Sequence, residues 1–258
     1  MTRRTLTRCA GIAAVLALAA TLTSCGDDSA GGLFDTTCSD IGRKPAEMAE
    51  ATPDEVIVLV DVSANDAATA ERLADDMSSV LGNVLDASDH LRITGYVAGG
   101  TGAGMKKIDC MDGAEYVFAG GNERRQEAER DELGTQLGAA IEKAVTATTV
   151  DAAGDARVLL RQVPVITDGG PAQVILWSTF LSQGSDCLTF ETGDAPSEEL
   201  AASVATRCAE QNLLPDLGEA SLTVVGAGSS ADRPDLGPFG KALATQLCAR
   251  MADECDIR

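Results

Sequence analysis

Residues 54–61 read Asp-Glu-Val-Ile-Val-Leu-Val-Asp, an unbroken aliphatic run between acidic residues. A strand with one face in water alternates apolar and polar side chains, whereas a strand covered on both faces is apolar throughout. Strands of the second kind belong to parallel sheets, whose crossover connections are usually helices. The run therefore predicts an α/β fold with helices on both faces of a sheet.

The rest of the chain alternates the two kinds of segment that this fold needs. Short apolar runs predict further strands, and apolar residues at helical spacing predict helices. Such alternation predicts a doubly wound, mostly parallel sheet flanked by helices, which is a Rossmann-like arrangement. The further strands are predicted at residues 91–98, 114–118, 173–178 and 220–226, and the helices at 65–85, 122–148, 153–163, 197–211 and 236–251.

The first 25 residues differ in character from the rest of the chain. Three arginines within the first eight residues precede an apolar stretch at residues 11–22, and no acidic residue is near them. A membrane-spanning helix needs about 20 apolar residues, so a shorter stretch is typical of the hydrophobic region of a signal peptide. The stretch ends in Leu22-Thr-Ser-Cys25, which resembles the lipobox of bacterial lipoproteins.

The lipobox resemblance implies how the chain is divided and where it resides. Residues 1–24 would be a signal peptide, Cys25 a lipidated N-terminus, residues 25–52 a flexible tether and residues 53–258 the folded domain. We therefore expect a lipid anchor in the cell membrane, with the domain on the extracytoplasmic face. Arg outnumbers Lys and Ala is abundant, a composition typical of a GC-rich genome such as that of an actinobacterium.

The cysteines agree with export. Cys9 would leave with the signal peptide and Cys25 would carry lipid, which leaves an even number for disulfide bonds. A metal cluster is disfavoured, because no Cys-x-x-Cys pair occurs and the chain has one histidine. Cys187 and Cys208 are predicted as a local pair, and the other pairings stay open. The disulfide candidates are Cys38, Cys110, Cys187, Cys208, Cys248 and Cys255.

A possible ligand motif follows the first predicted strand. Asp61-Val-Ser63-Ala-Asn65 resembles the first metal-site motif of von Willebrand factor A domains, and the strand order and the ending at residues 224–228 also fit that family. The resemblance implies that Asp61, Ser63 and Asn65 help to bind Mg²⁺, which prefers oxygen ligands. The alternative is that Ser63 or Asn65 caps the next helix without any metal.

The family's remaining ligands, a threonine and an aspartate, have two alternative placements. In one, Thr135 and Asp168 supply them. In the other, residues 174–178 form the fourth strand and Thr179 stands where the aspartate should be. The second placement is favoured, because Pro164 would interrupt the strand that the first one requires.

The charge of the chain and its lack of catalytic motifs disfavour two classes of function. Forty Asp and Glu against 20 Lys and Arg disfavour nucleic acid as a partner, since phosphate binding needs clustered basic residues. No nucleophile motif or acid–base pair accompanies His90, so we expect no enzyme activity. The predicted function is non-catalytic binding of a protein partner, assisted by Mg²⁺. The alternatives are a small-ligand-binding lipoprotein of a transporter, or an envelope enzyme with an unrecognised site.

Overall fold

A computed structural model describes most of the chain after residue 51. The described ranges are residues 52–63, 67–99, 104–118, 122–148, 156–181, 187–188, 196–230 and 233–258. The predicted signal peptide, Cys25, Cys38 and Asn65 lie outside them, and so do the side chains of several residues at the start of the first helix.

The described residues form a six-stranded sheet in the order β3-β2-β1-β4-β5-β6. All neighbouring strands are parallel except β2 and β3, which are antiparallel. The predicted mostly parallel α/β fold is therefore confirmed. The strands are β1 (Asp54–Asp61), β2 (His90–Ala98), β3 (Met105–Val117), β4 (Gln173–Trp177), β5 (Ser221–Val225) and β6 (Cys255–Ile257).

Helices lie between the successive parallel strands and cover both faces of the sheet. Two of their N-termini have side-chain caps: Asn122 accepts a hydrogen bond from the Arg125 amide, and Ser197 accepts one from the Leu200 amide. The helices are α1 (Ala67–Ala87), α2 (Glu123–Thr146), α3 (Ala156–Leu160), α4 (Val163–Thr167), α5 (Glu198–Glu210) and α6 (Gly237–Cys248).

Three elements differ from their predictions. The single helix expected at residues 153–163 is two short helices, with Pro164 in the first turn of α4, where its missing N–H leaves no helical bond unmade. Strand β3 begins at Met105 and includes an irregularity opposite Thr94, which the alternation pattern did not reveal. Strand β6 is too short and too polar for a sequence signal.

The apolar run of β1 divides its side chains between two cores. Val56, Val58 and Val60 pack in the core that includes α1 and α2. Ile57 and Leu59 pack in the core on the opposite face, which includes α3, α5 and α6. All five side chains are at most 1% exposed. The strand is therefore apolar throughout because helices cover both of its faces. Among the described residues, no helix combines the length and the apolar character that crossing a membrane requires.

Arg92 joins three strands at the amino edge of the parallel sheet. It lies opposite Glu55 of β1 and Glu115 of β3 in the strand registers. Its guanidinium contacts both carboxylates, and Nε is 3.1 Å from Glu115 Oε1. The hydrogen bond from Arg92 lowers the pKa of Glu115 below its ordinary value of 4.5, and a weaker contact with His90 acts in the same direction.

We expect Glu115→Gln to destabilise the domain more at pH 6 than at pH 3. A carboxylate with a lowered pKa stabilises the fold above its ordinary pKa, and that contribution is lost as the pH falls through the lowered value. Urea unfolding of both proteins at the two pH values measures the difference. Asp86→Asn, at an exposed position of α1, is the control. An equal loss for Glu115→Gln at both pH values would contradict the prediction.

Every cysteine within the described residues is disulfide-bonded. Cys187 pairs with Cys208, as predicted, with a Cα–Cα distance of 4.9 Å. Cys248 pairs with Cys255, which ties the end of α6 to β6. Cys110 is also disulfide-bonded. Disulfides of this number are typical of proteins outside the cytosol.

Peptide mapping under non-reducing conditions is expected to join the peptide of Cys110 to that of Cys38. Cys38 is the remaining cysteine of the predicted mature chain once Cys25 carries lipid. Mass spectrometry before and after reduction identifies the joined peptides. A free Cys38 thiol, detected by alkylation of the unreduced protein, would exclude this pairing.

Candidate functional site at the carboxyl edge of the sheet

The carboxyl ends of β1, β4 and β5 meet at one edge of the sheet, where ligands bind in open α/β folds. Val60 is in register with Trp177 of β4, so the next residues of the two strands, Asp61 and Ser178, are neighbours. Thr179 directly follows Ser178, and Ser63 is two residues after Asp61. We call Asp61, Ser63, Ser178 and Thr179 the Asp61 edge.

The Asp61 carboxylate is the centre of a buried hydrogen-bond network. Its Oδ1 accepts hydrogen bonds from the Ser63 amide at 3.0 Å and from the Ser63 hydroxyl. Its Oδ2 accepts one from the Ser178 hydroxyl at 2.8 Å. The three residues are at most 3% exposed. The network thus links the carboxyl ends of two parallel strands through a single carboxylate.

The chain that leaves β4 is held at this edge by further hydrogen bonds. The Ser178 hydroxyl accepts from the Phe180 amide at 3.2 Å, and the Thr179 hydroxyl accepts from the Leu181 amide at 3.3 Å. The Gly228 amide, after β5, donates to the Thr179 carbonyl at 2.9 Å. Phe180 has φ +54°, a left-handed conformation that costs a side-chain-bearing residue about 1 kcal/mol or more. Surrounding contacts must hold this strained turn in place.

The structure separates the two placements of the later ligands. Thr135 lies on α2, where its hydroxyl donates to the carbonyl of Asp131 one turn earlier. Asp168 ends α4 and precedes β4, so it lies toward the amino end of that strand and not at its carboxyl end. The placement that uses Thr135 and Asp168 is therefore wrong. The one with Thr179 after the fourth strand agrees with the observed β4.

Ser178 is the member of the edge that sequence reasoning missed as a site residue. It is the last residue of the strand predicted at residues 173–178. Its position directly after β4 is the only hint in the sequence. Ser178 lies beside Asp61 because the parallel register pairs Val60 with Trp177. Register across strands far apart in sequence is not readable from either segment alone. Asn65, the third residue of the motif, lies outside the described residues.

The donor atoms of the edge fit a hard cation in type. Carboxylate and hydroxyl oxygens are the ligands that Mg²⁺ prefers, and the ion usually retains several waters. Asp61 is the single carboxylate among the four residues, so the edge carries little charge to hold a divalent ion. Among the described residues, no group of three or more His, Cys, Asp or Glu side chains is arranged to hold a metal. The donor types of the edge are therefore those that Mg²⁺ prefers, but the edge contributes one carboxylate.

Trp177 provides a spectroscopic reporter beside the Asp61 edge. It is the single tryptophan of the chain and is fully buried at the end of β4. Its indole N–H has no hydrogen-bond partner in the part of the chain that the structure describes. Indole emission depends on local polarity and hydrogen bonding, so it should respond to an ion or partner that alters this edge.

Another surface feature lies away from this edge. A groove of about 530 Å³ runs between α1 and α2, and its lining includes Gly82, Gly134 and Gly138 together with Asp75 and Asp131. Most small-molecule sites are lined mainly by apolar and aromatic side chains. The described lining of this groove contains no aromatic side chain and several charged ones, which does not favour it as the pocket of a small-ligand carrier.

Comparison with known proteins found no related family: no family model matches this sequence, and no curated protein matches it.

Proposed function

We propose that this chain is a bacterial lipoprotein, anchored by lipid on Cys25 at the extracytoplasmic face of the cell membrane. Its α/β domain binds a protein partner and catalyses no reaction. The observation that supports the extracytoplasmic location is the disulfide bonding of every cysteine in the described residues. Such bonds persist outside the reducing cytosol, in agreement with a signal peptide and lipobox before the domain.

The Asp61 edge is the proposed binding region. It lies at the carboxyl ends of parallel strands, and the loop at Phe180 beside it is strained, as loops at functional sites often are. The chain has a net charge of −20 at pH 7. An acidic domain attracts basic surfaces and speeds their association. We therefore expect a partner whose contacting surface is basic.

Mg²⁺ is proposed to assist this binding through Asp61 and Ser63, with Asn65 as a further ligand. Bound there, the ion would supply a positive charge and an open position for an oxygen ligand from the partner. The buried hydroxyls of Ser63 and Ser178 orient the carboxylate for this role.

Replacement of Cys25 by Ala is expected to move the protein from the membrane to the soluble or medium fraction, because the lipid has no other attachment residue in the lipobox. Fractionation followed by immunoblotting measures the distribution. Cys9→Ala, within the predicted signal peptide, is the matched control and should leave the protein in the membrane. Membrane retention of Cys25→Ala would refute the lipid anchor.

Crosslinking in intact envelopes tests the binding function. The native protein and Asp86→Asn, at an exposed carboxylate of α1, are expected to recover the same partner. Asp61→Asn is expected to lose most of it, because an amide cannot accept the same hydrogen bonds from both hydroxyls. Equal recovery by all three proteins would place the partner elsewhere on the surface.

A further inference from the structure

The Cys187–Cys208 disulfide lies against a buried positive charge. Arg157, at the start of α3, is 1% exposed, and both cysteines are fully buried. Its guanidinium Nη1 contacts Cys187 Sγ and is 3.9 Å from Cys208 Sγ. A second guanidinium, that of Arg207, donates two hydrogen bonds to the Cys187 carbonyl, at 2.8 and 3.1 Å.

The Cys248–Cys255 disulfide has a different environment. Cys248 Sγ lies 4.0 Å from the Leu222 carbonyl oxygen, which presents the negative end of its dipole to the sulfur. Among the described contacts, no Lys or Arg side chain is within hydrogen-bond distance of either sulfur of this bond. Cys255 is exposed, whereas Cys187 and Cys208 are fully buried. The molecule therefore contains one buried disulfide beside a cation and a more accessible one beside a carbonyl oxygen.

We propose that Cys187–Cys208 is a redox-sensitive bond, which at equilibrium is reduced at a lower ratio of reduced to oxidised dithiol than Cys248–Cys255. Reduction of a disulfide releases thiolates, and a neighbouring guanidinium stabilises a thiolate. A stabilised reduced form makes a disulfide easier to reduce. Arg157 contacts Cys187 Sγ most closely, so Cys187 is the sulfur that leaves as a thiolate.

The reaction with a dithiol balances in two exchange steps. A thiolate of the reductant attacks Cys208 Sγ, the S–S bond breaks, and its electron pair remains on Cys187 Sγ beside Arg157. The second thiolate of the reductant then attacks the reductant sulfur of the mixed disulfide, and the bond from that sulfur to Cys208 Sγ breaks. The reductant leaves as a cyclic disulfide, having lost two electrons, and Cys208 takes up a proton. Both protein sulfurs are buried, so a local opening of the fold must precede the first attack.

The opened bond would release a connection that matters to the fold. Cys187 belongs to the segment that leaves β4 after Ser178 and Thr179, whereas Cys208 lies on α5. The disulfide therefore ties the chain that follows the Asp61 edge to a helix of the domain. Its reduction would remove this tie and leave the bond at the C-terminus intact.

The test equilibrates the purified full mature protein in buffers with graded ratios of reduced to oxidised dithiothreitol. After acid quenching and alkylation, peptide mass spectrometry quantifies each bond in the same sample. We expect Cys187–Cys208 to be half-reduced at a ratio about tenfold lower than Cys248–Cys255, which corresponds to about 30 mV. Equal ratios for the two bonds, or a lower ratio for Cys248–Cys255, would overturn the proposal.

Variants at Arg157 assign the effect to its charge. Arg157→Met, which keeps much of the side-chain length, is expected to remove most of the tenfold difference, and Arg157→Lys to retain much of it. Arg207→Met is the matched control, because that guanidinium contacts the carbonyl of Cys187 and not its sulfur. If Arg157→Met fails to fold, the test rests on Arg157→Lys and on the comparison of the two bonds in the native protein. A difference unchanged in folded Arg157→Met would overturn the role of the charge.

Discussion

Gly228→Ala is expected to lower the free energy of unfolding by about 3 kcal/mol. Gly228 has φ +73°, and a Cβ there would lie 2.2 Å from the Gly237 carbonyl oxygen. Left-handed backbone costs an alanine about 1–2 kcal/mol, and the overlap with backbone adds about 1–3 kcal/mol because backbone yields little. In a domain of this size the loss corresponds to a fall in Tm of about 9 °C.

The effect arises from the close approach of the loop after β5 to α6. A Cβ on Gly240 would lie 2.5 Å from the Cα of Gly228, so the two glycines pack backbone against backbone. In the same loop, the Gly228 amide donates a hydrogen bond to the Thr179 carbonyl at the Asp61 edge. A shift of this loop would therefore disturb the candidate site as well as the core.

Gly82→Ala is the matched control for this substitution. Gly82 lies within α1, and a Cβ there would meet no heavy atom within 4 Å. Alanine is favoured over glycine in a helix interior by about 0.8 kcal/mol, so this variant should be slightly stabilised. Urea unfolding of both variants checks the pair. A Gly228→Ala protein as stable as the native one would show that the loop and α6 do not approach this closely.

Asp61→Ala is expected to cost about 3 kcal/mol of stability and to abolish partner recovery at the Asp61 edge. Hydrogen bonds to a charged group contribute about 1.5–3 kcal/mol each, and Asp61 accepts them from the hydroxyls of Ser63 and Ser178. Its removal leaves both hydroxyls without this acceptor in a buried position. Ser178→Ala, which removes one donor and keeps the carboxylate, should cost about 1–2 kcal/mol.

Thermal unfolding in Mg²⁺ separates the two roles of Asp61. An ion that binds the folded protein raises Tm with its concentration. We expect millimolar Mg²⁺ to raise the Tm of the native protein and of Asp86→Ala, but not that of Asp61→Ala. Trp177 emission should change over the same concentrations. No shift in the native protein would leave Asp61 with the structural role alone and remove Mg²⁺ from the proposal.

The three proposed features depend on different residues. The lipid anchor depends on Cys25, the binding region on the Asp61 edge, and the redox-sensitive bond on Arg157 with Cys187 and Cys208. A failure of one therefore leaves the others open to test. Membrane retention of Cys25→Ala, for example, would say nothing about the relative ease with which the two described disulfides are reduced.

Local sequence was sufficient for the strand at residues 54–61 and for the helices that begin near residues 122 and 197, and it suggested the pairing of Cys187 with Cys208. In each case the deciding interactions lie within one segment or between neighbouring ones. An apolar run is stable only where both faces of its strand are covered. A capping side chain accepts a hydrogen bond from the amide three residues later. These features follow from short-range physical chemistry and are visible in the order of the residues.

Tertiary structure decided the rest, because the remaining features depend on contacts between distant segments. Ser178 reaches Asp61 only through the register of β1 against β4. Strand β6 is ordered by pairing with β5 and by the Cys248–Cys255 bond, and has little apolar signal of its own. Arg157 reaches Cys187 across a separation of 30 residues. Register and burial are properties of the assembled sheet, and a segment alone does not contain them.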